Sequence, residues 1–413
     1  MRVLLLAPQP FYQERGTPIA VRMVLDTLSR TLGLNNNSAP QIDLLVYDEG
    51  EEIEIPGVRI IRTPTPKFLR GIRPGISCKK LLCDIYFLCS AFLLLWRARR
   101  SQYTVIHAVE EAVFIAWLAK KIFGTPYIYD MDSSLSMQLT EKWWWCAPIS
   151  PILNLIEGIA VRGSIAVAPV CDSLQAIAIK HGSPHTVMLR DVSLLPTTKA
   201  PHTDAATIFG ASVSTQHPVL LYVGNLESYQ GIDLLLESFS LIINHPSQPQ
   251  LVIIGGTHTL IERYTLKARQ LGCSESVVFL GARPLANLKS YLEQAAILVS
   301  PRIRGNNTPM KIYSYLHSGR ALVATDLPTH SQVLDNEISV LTPPTAPGFA
   351  AGLKRLLDDP ELRAQLGAQA RLRAEHLYTI PAFETQLCAL YQRVQDTLCT
   401  PPLATPSMRV GGA

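Results

Sequence analysis

Short apolar runs alternate with segments of helical period along most of the chain, a pattern that predicts parallel sheets covered by helices. In the first half the strand candidates are RVLLLA, IDLLVY, VRIIR, TVIHAV, YIYDM, SIAVAP and TVMLR. Between the first two, IAVRMVLDTLSRTLG sets Val21, Leu25, Leu28 and Leu32 on one helical face, with Gly33 as its expected end. A second set follows: PVLLYVG, QLVIIGG, SVVFLG, AILVSP, ALVATD and ISVLT, separated by helical segments such as IDLLLESFSLII and LIERYTLKARQLG. Two helical stretches close the pattern, ELRAQLGAQARLRAEHL and FETQLCALYQRVQDTL.

Between the two sets, residues 196–217 are poor in large apolar side chains and rich in Pro, Thr, Ser and Ala, the composition of a linker. The expected organisation is α/β: a Rossmann-like domain over 1–195, the linker over 196–217 and a second Rossmann-like domain over 218–378. A last helix over 379–399 and a flexible tail over 400–413 complete it. Ligands of doubly wound sheets bind beyond the carboxyl ends of the strands, so the cleft between the domains is the expected site.

Composition narrows the function classes. The net charge of +4, from 37 basic and 33 acidic residues, gives no footprint for nucleic acid. Eight cysteines lack C-x-x-C spacing, which argues against a zinc or redox site and for reduced thiols in a cytoplasmic protein. MRVLLLAP stops at Pro8 before polar residues, and reads as a buried strand rather than a secretory signal. The longest apolar stretch, LLCDIYFLCSAFLLLW (81–96), contains Asp84 and is shorter than the ~20 residues a spanning helix needs. Between Lys67 and Arg100, eight basic residues stand against that one acid. A membrane-surface element, peripheral at the inner face of the membrane, and a core helix with solvated ends both fit. The tryptophans of KWWWCAP (142–148), Trp144 at their centre, suit an interface or an acceptor pocket.

Two stretches carry candidate chemistry. ERGTPIAV follows the first strand: Gly16 permits close backbone approach, Thr17 is a candidate cap and Pro18 opens a helix, which makes an anion-friendly terminus or an ordinary strand-to-helix turn. GNNTPMKIYSYLHSG repeats the grammar, with Thr308 as cap, Pro309 as first helical residue and Gly319 as stop. Lys311 then falls in the first turn, where a cation is unfavourable by roughly 0.3–1 kcal/mol. A bound diphosphate supplies the missing negative charge, and Arg302 and Arg304 stand close enough in sequence to reach the same anion.

YVGNLESYQGIDLLLESF, LVIIGG, VVFLGARPLANLKSYLEQAAILVSP and NTPMKIYSYLHSGRALVATDLP occur in an order and spacing that resembles retaining glycosyltransferase family 4, of GT-B fold. APQPFYQERGTPIAVRMVLDTLSRTLG resembles that family's first loop and helix, so the resemblance runs from Met1 to about Leu398. It implies a nucleotide-sugar donor on the second domain, a lipid-linked or polysaccharide acceptor on the first, no metal or other cofactor, and a final helix that crosses back. The leaving diphosphate is held by basic residues and helix N-termini. The donor-side positions are then Gly16, Thr17, Gly224, Asn225, Gln230, Arg302, Arg304, Asn306, Asn307, Thr308, Pro309, Met310 and Ser314, with Lys311 at the diphosphate.

The match departs from the family at several of these. Asn225 and Gln230 replace the Arg and Lys of G-R-L-x-x-x-K-G, and Asn306 and Ser314 stand where two glutamates are usual. In GTPYIYDMD, Asp132 takes the place of a histidine close to the donor sugar and becomes the candidate catalytic residue, while Asp130 reads as a cap. In HAVEEAVFIA, His107, Glu110 and Glu111 are candidates for acceptor contact, although the two acids equally suit a helix N-terminus. The lost charges keep a second reading open, an inactive sugar-nucleotide-binding subunit, and the shared architecture a third, a sugar-nucleotide epimerase.

Overall fold

The computed structural model describes residues 1–11, 16–31, 41–50, 52–72, 77–98, 103–142, 148–196, 208–210, 213–214 and 216–399. The first half alternates β1 (Val3–Pro10), α1 (Gly16–Thr31), β2 (Ile42–Tyr47), β3 (Val58–Arg62), α2 (Cys78–Arg97), β4 (Val105–Val109), α3 (Ala112–Phe123), β5 (Tyr127–Met131), α4 (Leu135–Lys142), α5 (Ser150–Gly163), β6 (Ala166–Pro169) and α6 (Asp172–Lys180). The second half continues with β7 (Val219–Val223), α7 (Ile232–Ser240), β8 (Gln250–Ile254), α8 (His258–Gln270), β9 (Val277–Gly281), α9 (Leu288–Glu293), β10 (Ile297–Ser300), α10 (Lys311–His317), β11 (Ala321–Thr325), α11 (Pro328–Ser331), β12 (Val340–Thr342), α12 (Ala346–Asp358), α13 (Pro360–Leu377) and α14 (Ile380–Cys399).

These strands build two six-stranded parallel sheets, β3-β2-β1-β4-β5-β6 and β12-β11-β10-β7-β8-β9. Successive residues of a strand point to opposite faces. Leu4 and Leu6 therefore join the core under α2, α3, α5 and α6, while Val3 and Leu5 join the one under α1 and α14. In the second sheet Leu220 and Tyr222 pack in the core with α7 and α12, Leu221 in the core with α10. Each order reverses beside its first strand, so both sheets have the switch point at which ligands bind beyond the carboxyl ends.

The sequence pattern locates all of these strands and adds a seventh, TVMLR, that does not form. Val187 N donates to Val167 O and Leu189 N to Pro169 O, but only Thr186 makes a bridge, to Val167. The next rung would need an N–H from Pro169, which has none. The last helix crosses back as expected: Phe383, Leu387, Leu390 and Tyr391 of α14 are core residues of the first sheet. Leu32 and Gly33, expected in the first helix, and the tail after Cys399 lie outside the described residues. Among the described residues no helix is long and apolar enough to cross a membrane.

The two chain crossings between the sheets are tied together. Ser193 N donates to Tyr378 O at 3.0 Å, Leu194 N donates to Ser314 Oγ at 3.0 Å, and His317 Nδ1 lies 2.7 Å from Ser193 Oγ. Helix α10 is thus fastened to the connection by two of its side chains. In the loop before α7, Gly231 holds φ 75° and a Cβ would collide with Pro301 O. Replacing Gly231 with Ala combines left-handed strain with that collision and is expected to cost about 2–4 kcal/mol, read as a shift in the urea unfolding midpoint.

Candidate active site

Helix α10 begins two residues later than its sequence suggests. Met310 is the N-cap, Lys311 is the first helical residue, and Thr308 makes no capping hydrogen bond. Pro309 O instead accepts from Ile312 N at 2.9 Å. The stop is where the glycine puts it: α10 ends at His317, and Gly319 holds φ 72°.

Lys311 is the electrostatic anomaly of the second domain. Its Nζ is buried, has no hydrogen-bond partner among the described residues, and sits 3.8 Å from the ring centroid of Tyr222. Burial, with the nearby Arg302 guanidinium adding to it, drives the ammonium well below the usual lysine range. A cation–π contact offsets part of that cost, not all. Gly224 is next to it: a Cβ there would lie 3.4 Å from Lys311 Nζ. Further polar atoms in these loops and on α10 are also buried without a partner among the described residues: Thr308 Oγ1, Gln230 Oε1 and Tyr313 OH.

Arg302 and Arg304 separate in the structure. Arg302 is buried and braces the loop, donating from Nε to Arg304 O at 2.7 Å and from Nη2 to Asn307 Oδ1 at 3.0 Å, with its guanidinium over Tyr229. Arg304 is exposed. Behind this loop His330 stays neutral, pushed down to about 3 by burial, with Ser300 Oγ 2.8 Å from Nε2 and Thr325 O 2.9 Å from Nδ1. Asn225 is exposed, its Oδ1 accepting from Glu227 N. Ser314, expected at the donor, is fully buried with its Oγ turned to Leu194 N, beneath the interdomain connection. Gly16 is exposed and already begins α1, so Thr17 lies within the first turn rather than at the cap.

The first domain answers with carboxyl groups. Asp132 lies after β5, and burial, with Asp130, Glu110 and Asp191 adding to it, holds its carboxyl well above the usual range. Burial, then Glu111, lifts Glu110 to about 7, and burial, then Asp130, lifts Asp191 to about 7. Glu110 adopts φ 51°, a left-handed conformation that costs a side-chain-bearing residue about 1–2 kcal/mol. With Glu111, Phe114, Tyr129, Ser133, Leu135 and Gln138 it lines a small, partly open pocket. Among the described residues no group of three or more His, Cys, Asp or Glu is arranged to hold a metal ion. His107 is no contact for an acceptor: it is fully buried, with Asp130 Oδ2 and Tyr391 OH each 3.0 Å from a ring nitrogen, and it ties β4 to α14. Trp144 lies outside the described residues.

The two sides meet across the cleft. Asn306 O accepts from Gln332 Nε2 at 2.8 Å and from Cys171 Sγ at 3.7 Å, and Gln332 Oε1 accepts from Ser173 N and Ser173 Oγ, each at 3.2 Å. Asn306 Nδ2 lies 3.9 Å from Met137 Sδ. Gln332 and Ser173 carry no sequence signal for this; the clamp exists only because α11 faces the start of α6.

Residues 205–373 match the family described as Glycosyl transferases group 1. That match lies in the second part of the chain and spans less than half of its length. The chain is a glycosyltransferase that takes its sugar from a nucleotide-sugar donor. Among curated relatives it is 24% identical over 387 residues to alpha-D-kanosaminyltransferase of Streptomyces kanamyceticus, covering 85% of this chain and 99% of that protein. Among solved structures, sucrose-phosphate synthase of Thermosynechococcus elongatus aligns with a TM-score of 0.76 at 18% identity, over 96% of this chain and 100% of that one. Anabaena Alr3699/HepE, solved with UDP, aligns with a TM-score of 0.72 at 14% identity, over 95% and 100%. These likenesses establish the GT-B fold.

The raised carboxyls make the glycosyltransferase pH-dependent in a stated direction. Folded Asp191 keeps its proton up to about pH 7, whereas an unfolded aspartate loses it near 4. The folded state thus binds more protons in that window, and the stability Asp191 contributes is lost as pH rises through about 7. Asp191→Asn is expected to flatten the melting temperature between pH 4 and 7 and to stabilise the ligand-free protein by about 1–3 kcal/mol at pH 8, measured by thermal unfolding.

Proposed function

We propose that this glycosyltransferase retains anomeric configuration and places the leaving nucleoside diphosphate against Lys311. The observation that carries the reading is the buried, unpartnered ammonium: an interior cation without a counter-charge is costly, and a diphosphate at the cleft-side loops provides one. Gly224, Gln230 and Thr308 are the neighbouring donor contacts, with Arg302 holding the loop rather than carrying the anion alone. Asn225, Asn306, Asn307, Pro309 and Met310 frame the same opening.

The chemistry follows from that placement. The bond between the anomeric carbon and the diphosphate oxygen breaks, and its electron pair leaves on the diphosphate, whose charge Lys311 and the loop amides stabilise. The acceptor hydroxyl bonds to the same face, and its proton passes to the departing phosphate oxygen. Asp132, its carboxyl held above the usual range by burial, is the group that hydrogen-bonds a sugar hydroxyl. The acceptor is read as approaching on the side of Asp132 and Glu110, and a lipid-linked or polysaccharide acceptor suits an approach at this edge of the domain. No metal is assigned a part.

Lys311→Met is expected to weaken nucleoside diphosphate binding by about 1–3 kcal/mol in calorimetry, while raising the melting temperature of the empty protein. Diphosphate binding returns the Lys311 pKa toward its ordinary range, so binding is coupled to proton uptake at pH values between the free and bound pKa. Calorimetry in buffers of different ionisation enthalpy reads that uptake, and the variant lacks it. Unchanged affinity would remove Lys311 from the site, and an inverted glycosidic product in NMR would overturn the retaining assignment.

A further inference from the structure

Helices α2, α3 and α5 lie over one face of the first sheet, sharing a single core cluster beneath them. Inward, α2 buries Cys83, Phe87, Ala91 and Leu95, a complete apolar stripe. Outward it exposes a second one: Leu82, Ile85, Leu93 and Trp96, the last 60% exposed. Helix α5 is more decisive, because Ile152, Leu155, Ile156 and Ile159 follow the i, i+3, i+4, i+7 spacing of an apolar face and all four point to solvent. Between them α3 adds exposed Leu118 and Ile122, and Phe92 of α2 packs against Phe123 of α3.

The charges sort in the opposite sense from an ordinary surface. Every acid on or capping these three helices turns inward: Asp84 to Tyr47, Glu111 to Lys80, and Glu157 to Ser134. Cations remain outside, with Arg97, Lys121 and Arg162 exposed at the carboxyl ends of the three helices and Lys67 beside exposed Phe68 before α2. Apolar side chains flanked by cations, with the acids withdrawn, complement a bilayer surface that carries negative head groups.

We infer that the outer face of α2, α3 and α5 is a docking surface for an anionic lipid bilayer, on which the protein lies without crossing. This rests on the apolar and charge pattern, not on the reading of the donor site. The amino-terminal ends of α2 and α3 meet at the Lys80–Glu111 pair, and Glu111 lines the acceptor-side pocket. A docked protein therefore holds that pocket beside the membrane, within reach of a lipid-linked acceptor.

The test is co-sedimentation of the full chain with vesicles of phosphatidylglycerol and of phosphatidylcholine, with neither donor nor acceptor present. Binding is expected to phosphatidylglycerol, falling with added salt, and far weaker to phosphatidylcholine. Leu155→Ser with Ile156→Ser should lower the partition at least about tenfold, and Arg97→Gln or Lys121→Gln about fivefold each. Thermal melts check that these surface variants stay folded. Absent vesicle binding, or binding that the α5 variant leaves unchanged, overturns the inference. So does a lipid-free dimer that the α5 variant dissolves, since a second copy would then be the occupant. None of these outcomes bears on diphosphate affinity at Lys311, which is measured without lipid.

Discussion

A buried ammonium without a counter-ion is the constraint around which the second domain is arranged. An unpaired interior charge costs several kcal/mol, and among the described residues Lys311 faces the Tyr222 ring and a like-charged neighbour in Arg302. An anion brought to that position from outside would offset the cost. The same short helix that carries Lys311 carries Ser314 and His317 one and two turns on, and both engage the connection to the first domain. Whatever anion settles on Lys311 therefore bears on the element that fixes how the two sheets face each other.

The two domains differ in the sign of their buried groups. The second buries Lys311 beside Arg302, and the first buries the raised carboxyls of Glu110, Asp132 and Asp191. A nucleotide sugar is divided the same way, negative at the diphosphate and rich in neutral hydroxyls at the sugar. Carboxyls whose pKa values are lifted by burial are readier than ordinary ones to donate to hydroxyl oxygens. The clamp of Gln332 between Asn306 and Ser173 lies at the seam where the two domains touch.

How much of this was legible in the sequence depends on the range of the interaction. Strands flanked by turn residues announced themselves, because most are local runs of apolar side chains buried on both faces. TVMLR read the same way and failed on a single missing N–H at Pro169, a partner in another strand. The start of α10 was misplaced because Thr308 and Pro309 look like a cap, whereas the buried loop they belong to is held from outside by Arg302 and Thr329. His107 resembled a loop residue of the site; its nitrogens are taken by Asp130 and by Tyr391, the latter 284 residues away. The unusual charge at Lys311 was visible at once, since helix position alone makes a cation there costly.

Periodicity also cannot say which way an apolar stripe faces, and α5 is the case in point. Its counterpart α12 covers the second sheet in the ordinary sense, burying Phe349, Leu353, Leu356 and Leu357 and exposing Lys354, Arg355 and Asp358. Helix α5 instead buries Gly158, Ala160 and Val161 and exposes its isoleucines. The small inner residues are what the packing demands: a Cβ at Gly158 would come within 2.9 Å of His181 Nδ1, and one at Gly163 within 2.6 Å of Tyr127 OH. The sheet is thus already covered without the large side chains. Bulk on the outside contributes nothing to that core and would be tolerated as polar residues, as α12 demonstrates on the same architecture. Apolar bulk that folding does not need, on a face from which the acids have been withdrawn, is best explained by something that covers it.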